Sequence, residues 1–144
     1  NAGAKHVVVT GTYDLGKTPW ATAISQTSLL NDASSRFNEG LLVNIVDLGA
    51  NVLYIDAAYY VNLYTSSPGS YSFDNATTPV CTSVDAGNGI GIGTGQVNSA
   101  LCTTATLLPS ANQNKYVFAD AVYLTPSAHR QLGDYAYDRL RARW

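Results

Sequence analysis

Asp14, Asp56 and Asp120 each stand at or just beyond the end of a run of apolar and β-branched residues. In open α/β sheets, ligands collect in the crevice beyond the carboxyl ends of the strands, so carboxylates there are candidates for chemistry. Asp120 is the most informative of the three. It follows Tyr116-Val117-Phe118, after which the chain turns through residues 121–124 into a helix start at Thr125. A carboxylate so placed can orient a side chain two or three residues on. Spacing alone equally fits, and favours, the plain role of capping a helix or closing a turn. The two histidines read as structural: His6 within the first strand-like run, His129 one turn inside the last helix. Neither has ligand spacing with the two cysteines, Cys81 and Cys102, so no metal or other cofactor is expected.

The elements that must position these groups alternate between strand and helix patterns. Residues 5–10 form a β-branched run without alternation, which predicts a strand buried on both faces of a parallel sheet. Gly11 to Pro19 reads as a loop. Over residues 27–48, Ala33, Phe37, Leu41 and Ile45 recur every four positions, predicting a helix with an apolar stripe that Gly49 stops. Residues 51–57 predict a second strand ending at Asp56, followed by a short helix through Leu63. Residues 66–113 are rich in Ser, Thr, Gly, Asn and Pro and predict a long loop, of the kind that often builds a binding cleft. The alternating glycines at 87–95 lack the lysine and strand-to-helix setting of a phosphate cradle, and read as loop or edge strand. Residues 115–120 predict a third strand. Thr125 as N-cap, Pro126 at the first position, and Ala128, Leu132, Ala136 and Leu140 four apart predict a final helix. The succession is that of a layered α/β domain.

The chain has 144 residues, 46% of them hydrophobic and only 12% charged, with a net charge of −2. One domain of this length can bury a core without metal or disulfide staples. Lys and Arg are too few for a nucleic-acid footprint; half of them, Arg130, Arg139, Arg141 and Arg143, lie in the last helix and read as a solvated helix end. The apolar runs are too short to span a bilayer. Few lysines with abundant Ser, Thr, Asn, Gly and Tyr indicate a secreted or cell-surface/periplasmic protein. In that setting Cys81 and Cys102 can close a disulfide, the alternative being two separate buried thiols. Asn75-Ala76-Thr77 fits a glycosylation sequon, a short motif that matters only in a eukaryotic secretory host.

Several segments together resemble the GDSL, or SGNH-hydrolase, family of secreted esterases and lipases. Phe118-Ala119-Asp120-Ala121-Val122-Tyr123-Leu124-Thr125-Pro126 is similar to that family's last block, in which a strand ends in Asp and the catalytic His stands three residues later. Val7-Val8-Val9 followed by Asp14-Leu15-Gly16-Lys17-Thr18-Pro19, Phe37-Asn38 with Leu41 or Leu42, residues 51–56, and Pro68 through Tyr71, Phe73 and Asn75 to Cys81 agree in order and spacing. The Gly-Asp-Ser block of the nucleophile and the Gly-x-Asn-Asp block of the oxyanion hole do not occur in the sequence.

The resemblance implies a three-layer αβα (flavodoxin-like) fold with a parallel sheet, of which residues 1–144 form the carboxyl-terminal portion and 66–113 a loop insertion. The chain has no methionine and starts at Asn1, where the second half of such a domain would begin. It implies a carboxylic-ester hydrolase of the Ser-His-Asp type, in which Asp120 matches the triad Asp and Tyr123 occupies the place of the His. A phenol, with an ordinary pKa of about 10, is a poor base at neutral pH, so the chain alone is expected to be inactive. His129 matches the family's second His; it is the alternative base but reads as a packing residue. The implied partners are an ester or lipid substrate and the missing amino-terminal half as a separate chain, or a second copy in a homodimer. The competing reading is a non-catalytic, degenerate SGNH-like module that binds glycan, lipid or protein through tyrosines such as Tyr59, Tyr60, Tyr64 and Tyr71.

Overall fold

In the structure, a computed structural model that describes residues 3–144, two short strands pair in parallel. Strand β1 (Val7–Thr10) aligns with β2 (Val52–Ile55) in the register Val7↔Val52 to Thr10↔Ile55. Parallel strands need a crossover, which helices α1 (Pro19–Ala23) and α2 (Thr27–Ile45) provide. Helix α3 (Ala57–Ser66) follows β2 directly, and α4 (Pro126–Arg143) closes the chain. The architecture is therefore mixed α/β with a small parallel sheet. Asn1, where the chain starts, lies outside the described residues.

Two expectations about the sheet are corrected. The Val7–Val9 run is not buried on both faces: Val7 and Val8 are exposed, because among the described residues β1 has only β2 beside it. Residues 115–120 do not form a third strand. Their backbone groups pair instead with residues 75–81 and with their own turn: Val117 N–H donates to Asn75, and Val80 and Cys81 N–H donate to Phe118 and Ala119. Only isolated bridges result, Asn75 with Tyr116 and Phe118 with Leu124.

Helix α2 forms where the apolar period predicts it, but the face it presents to the protein is polar. Asn31, Ser34 and Asn38, spaced i, i+3 and i+7, hold the loop after β1. Asn31 Nδ2 donates to Asp14 at 2.7 Å, Ser34 Oγ accepts from Leu15 N–H at 3.0 Å, and the Asn38 amide bonds both Thr12 N–H and its carbonyl. Gly16 allows this approach, since a Cβ there would stand 2.5 Å from the Thr27 carbonyl. The predicted apolar stripe is only partly covered: Leu41 and Ile45 are half-buried, whereas Ala33 is exposed and Phe37 is 58% exposed. The helix passes into 3-10 turns at Val46–Asn51, in which Gly49 takes φ 59°, a left-handed value that suits glycine.

The core lies elsewhere. Val61, Tyr64, Phe73, Ala76, Val117, Phe118, Leu124 and Ala128 form one buried cluster, and Val80, Cys81 and Ala119 a second. The 66–113 segment that surrounds them contains only short 3-10 turns and isolated bridges. Cys81 and Cys102 are joined as a disulfide. Thr125 starts α4 as expected: it is fully buried, its Oγ1 accepts from Ala128 N–H, and it donates to the Tyr116 carbonyl at 2.7 Å. At the other end of α4, Trp144 stacks on His6 with ring centroids 4.2 Å apart and donates to the Ala50 carbonyl. His6 thus has a structural contact, just outside β1 rather than within it. No helix among the described residues is long and apolar enough to cross a membrane.

Candidate functional site

Asp120 has no solvent exposure, and a carboxylate in that position must be hydrogen-bonded to be tolerated. Its partners are all backbone amides. Val122 N–H and Tyr123 N–H donate to Oδ1 at 2.9 and 2.7 Å, and Ser99 N–H donates to Oδ2 at 2.9 Å. The first two close the turn from Asp120 to Tyr123. The third reaches 21 residues back into the loop between the two half-cystines, where Asn98 caps a short 3-10 turn at Ser99–Leu101.

The same turn is held from further directions. Ala119 N–H donates to the Tyr123 carbonyl at 2.8 Å, Trp20 N–H donates to the Ala121 carbonyl at 2.9 Å, and the Tyr13 hydroxyl donates to the Val122 carbonyl at 2.6 Å. Tyr13 comes from the loop after β1 and Trp20 from the first turn of α1, so two distant segments converge on residues 119–123. The side chain of Tyr123 is left 47% exposed. Position 123 is therefore presented outward from a turn whose backbone is fixed. Burial, with the neighbouring Tyr123 and Asp120 groups, raises the Tyr13 phenol well above the ordinary tyrosine range, keeping it protonated as a donor.

His129 does not join this group. Its Nδ1 lies 3.1 Å from the Thr125 carbonyl, a contact within the first turns of α4. Among the described residues neither His129 nor the Tyr123 hydroxyl bonds to the Asp120 carboxylate, whose acceptor contacts go to amides. His129 faces an open cleft of about 440 Å³, lined also by Ser99, Thr103, Gln113, Pro126 and the Cys81–Cys102 disulfide. Tyr123 lies outside that cleft.

The other two aspartates serve the backbone locally. Asp14 is buried and accepts from Gly16 N–H and the Asn31 amide. Asp56 accepts from Tyr59 N–H and caps α3. In the glycine run, the Asp85 carboxylate accepts from Gly87 N–H and the Asn98 amide, which hold it below the ordinary carboxylate range. Asn75 of the sequon turns its side-chain oxygen to the amides of Thr77 and Thr78. No group of three or more His, Cys, Asp or Glu that could hold a metal occurs among the described residues.

Three participants are not visible in the sequence pattern. Tyr13 has a usable signal, an aromatic residue in a loop at a strand's carboxyl end beside Asp14. Trp20 and Ser99 have none, because each acts through its backbone amide, which every residue but proline possesses.

No protein-family model matches the chain. It is similar to an uncharacterized protein in the trpE-trpG intergenic region of Pseudomonas putida, with 26% identity over 142 residues, 99% of this chain and 22% of that protein. The chain thus spans about a fifth of the length of the curated relative it matches. That protein's name assigns no activity.

Proposed function

We propose that the chain is the carboxyl-terminal portion of an SGNH-type domain, three-layered αβα in its complete form, and contributes the Asp block of a secreted carboxylic-ester hydrolase. The observation that carries this reading is the buried Asp120 carboxylate, which fixes a turn and presents the side chain three residues on to solvent. A Ser-His-Asp site needs that relation: the Asp holds an imidazole in one orientation, and the imidazole takes the proton of the serine nucleophile. A carboxylate offers about four acceptor sites, and backbone amides take three at Asp120. The reading requires the fourth to accept an imidazole N–H from position 123.

Tyr123 cannot fill that role at neutral pH, and the sequence contains no Gly-Asp-Ser nucleophile block. These residues by themselves are accordingly inactive, and activity requires a segment bearing the nucleophile and oxyanion hole, in the same polypeptide or in another. The edge of β1, which has only β2 beside it among the described residues, and the exposed Phe37, Leu42 and Val43 of α2 are consistent with a covering partner or a second copy. The disulfide fits a secreted or periplasmic location. The competing reading, a binding module for glycan, lipid or protein, loses Tyr64, which is buried, and Tyr60 and Tyr71, which pack against the core, keeps Tyr59, and draws further on the exposed Tyr123 and Tyr137.

The test is hydrolysis of short-chain nitrophenyl esters. No turnover is expected from the chain alone, and turnover is expected from its Tyr123→His variant combined with a polypeptide carrying the Gly-Asp-Ser and Gly-x-Asn-Asp blocks. Activity of the unaltered chain would overturn the assignment of where the nucleophile lies. Persistent inactivity of the combination, with glycan or lipid binding by the chain, would favour the binding module.

A further inference from the structure

The peptide unit between Val122 and Tyr123 has both of its polar groups fixed, and from opposite sides. Its N–H donates to Asp120 Oδ1 at 2.7 Å, and its carbonyl accepts from the Tyr13 hydroxyl at 2.6 Å. A trans peptide held at both ends cannot rock about either bond. The residue that follows then leaves the turn in one direction. Asp120 alone would leave a pivot, since its own bonds to Val122 and Tyr123 share one oxygen. Tyr13 removes the pivot.

We infer that Tyr13 is a positioning residue for the side chain at position 123, tying the loop after β1 to the turn that presents it. This rests on the ester-hydrolase reading for its catalytic meaning, but not for its geometry. Three features distinguish the tyrosine from a core aromatic. Its hydroxyl spans 109 residues of sequence to a turn carbonyl. Its partner is the residue immediately before position 123. Its phenol is held in the protonated, donating form by burial and by the neighbouring Tyr123 and Asp120 groups. Helix α2 secures the same loop from behind through Asn31, Ser34 and Asn38, so the phenol is delivered from a rigid base. Rigid second partners of this kind hold a reacting group in productive geometry, and small misplacements are costly in rate.

Tyr13→Phe keeps the ring and removes only the hydroxyl, and two measurements test it. In the chain as it stands, amide hydrogen exchange at Val122 and Tyr123 should accelerate by about tenfold or more, while amides of the buried core stay within about twofold. In the Tyr123→His chain combined with the nucleophile-bearing polypeptide, nitrophenyl butyrate turnover should lose about 10- to 100-fold in kcat with KM within about twofold. A purely structural hydroxyl would raise exchange uniformly and leave kcat intact, and that result overturns the inference. Unchanged exchange at both amides overturns it as well. If the combined protein is inactive even with Tyr13 in place, the ester-hydrolase reading fails instead, and the exchange pattern alone decides whether Tyr13 fixes position 123.

Discussion

Helix α2 and its 3-10 extension make up the longest stretch of regular backbone between the strands, yet Phe37, Val43, Val46 and Leu48 remain more than half exposed. Residues 67–125 contain nothing more regular than short 3-10 turns and isolated bridges, yet Phe73, Val80, Val117 and Phe118 are fully or almost fully buried. The contrast has a physical origin. A helix satisfies its own backbone hydrogen bonds and can leave a face uncovered. An irregular segment cannot, so its amides and carbonyls must find caps, turns and side chains, and that requirement draws it tight. The fixed turn at 119–123 is the extreme case, with partners from residues 13, 20, 81 and 99.

Five variants can break or sharpen that contrast. Asp120→Ala strands three amides in a site without solvent and should cost about 3–5 kcal/mol in urea unfolding; a loss below about 1 kcal/mol would mean the turn does not depend on its carboxylate. Replacing both Cys81 and Cys102 by Ala reopens a loop of sequence separation 21 and should cost about 3 kcal/mol, measured by the same unfolding curve without reductant. It should also loosen the Ser99 amide, whose loop the disulfide closes.

Tyr64→Phe has the opposite sign at neutral pH. Tyr64 Oη is buried without a hydrogen-bond partner among the described residues, so removing it should be neutral or stabilising by about 1 kcal/mol. Burial, then the neighbouring Tyr60, Tyr71 and Asp134, push the Tyr64 phenol up to about 12. A group whose pKa is raised on folding contributes stability in full below its unfolded value and loses it as pH rises through the folded value. Stability should therefore hold to about pH 10, the ordinary tyrosine value, and decline towards pH 12, the folded value. Tyr64→Phe should reduce that decline, read from melting temperatures at pH 8 and at pH 11. The smallest effect is expected on α2: Phe37→Ser and Val43→Ser should change stability by less than about 0.5 kcal/mol. A cost of about 3 kcal/mol at Phe37 would show that the stripe is buried and the contrast false.

The sequence is legible where local rules suffice. Thr125-Pro126 announced the start of α4, Asp56 the start of α3, and Gly49 the end of the long helix region, because each acts through its own neighbours. The two paired strands were legible from their β-branched runs. Asp120 was legible as a candidate, and even its plainer role as a turn-former was in view, since Asp bonding amides two and three residues on is a local motif. The apolar period of α2 predicts burial along its length, but burial needs a surface to cover it: Ser34 and Asn38 take the inward side with Leu41 and Ile45 half-buried, and Ala33 and Phe37 are left exposed.

Residue types and spacing by themselves determined the mixed α/β succession, the helix boundaries and the pairing available to two cysteines, all of which depend on neighbours or on chain composition. Only the tertiary structure decided that residues 115–120 bond to 75–81 rather than to a sheet, that His129 turns to a cleft apart from position 123, and that Tyr13 meets the Val122 carbonyl. The pairing of 115–120 and the Tyr13 bond depend on which donor reaches which carbonyl between segments far apart in the chain. Every backbone carries the same donors and acceptors, so the choice between partners is made by packing, which no local pattern encodes.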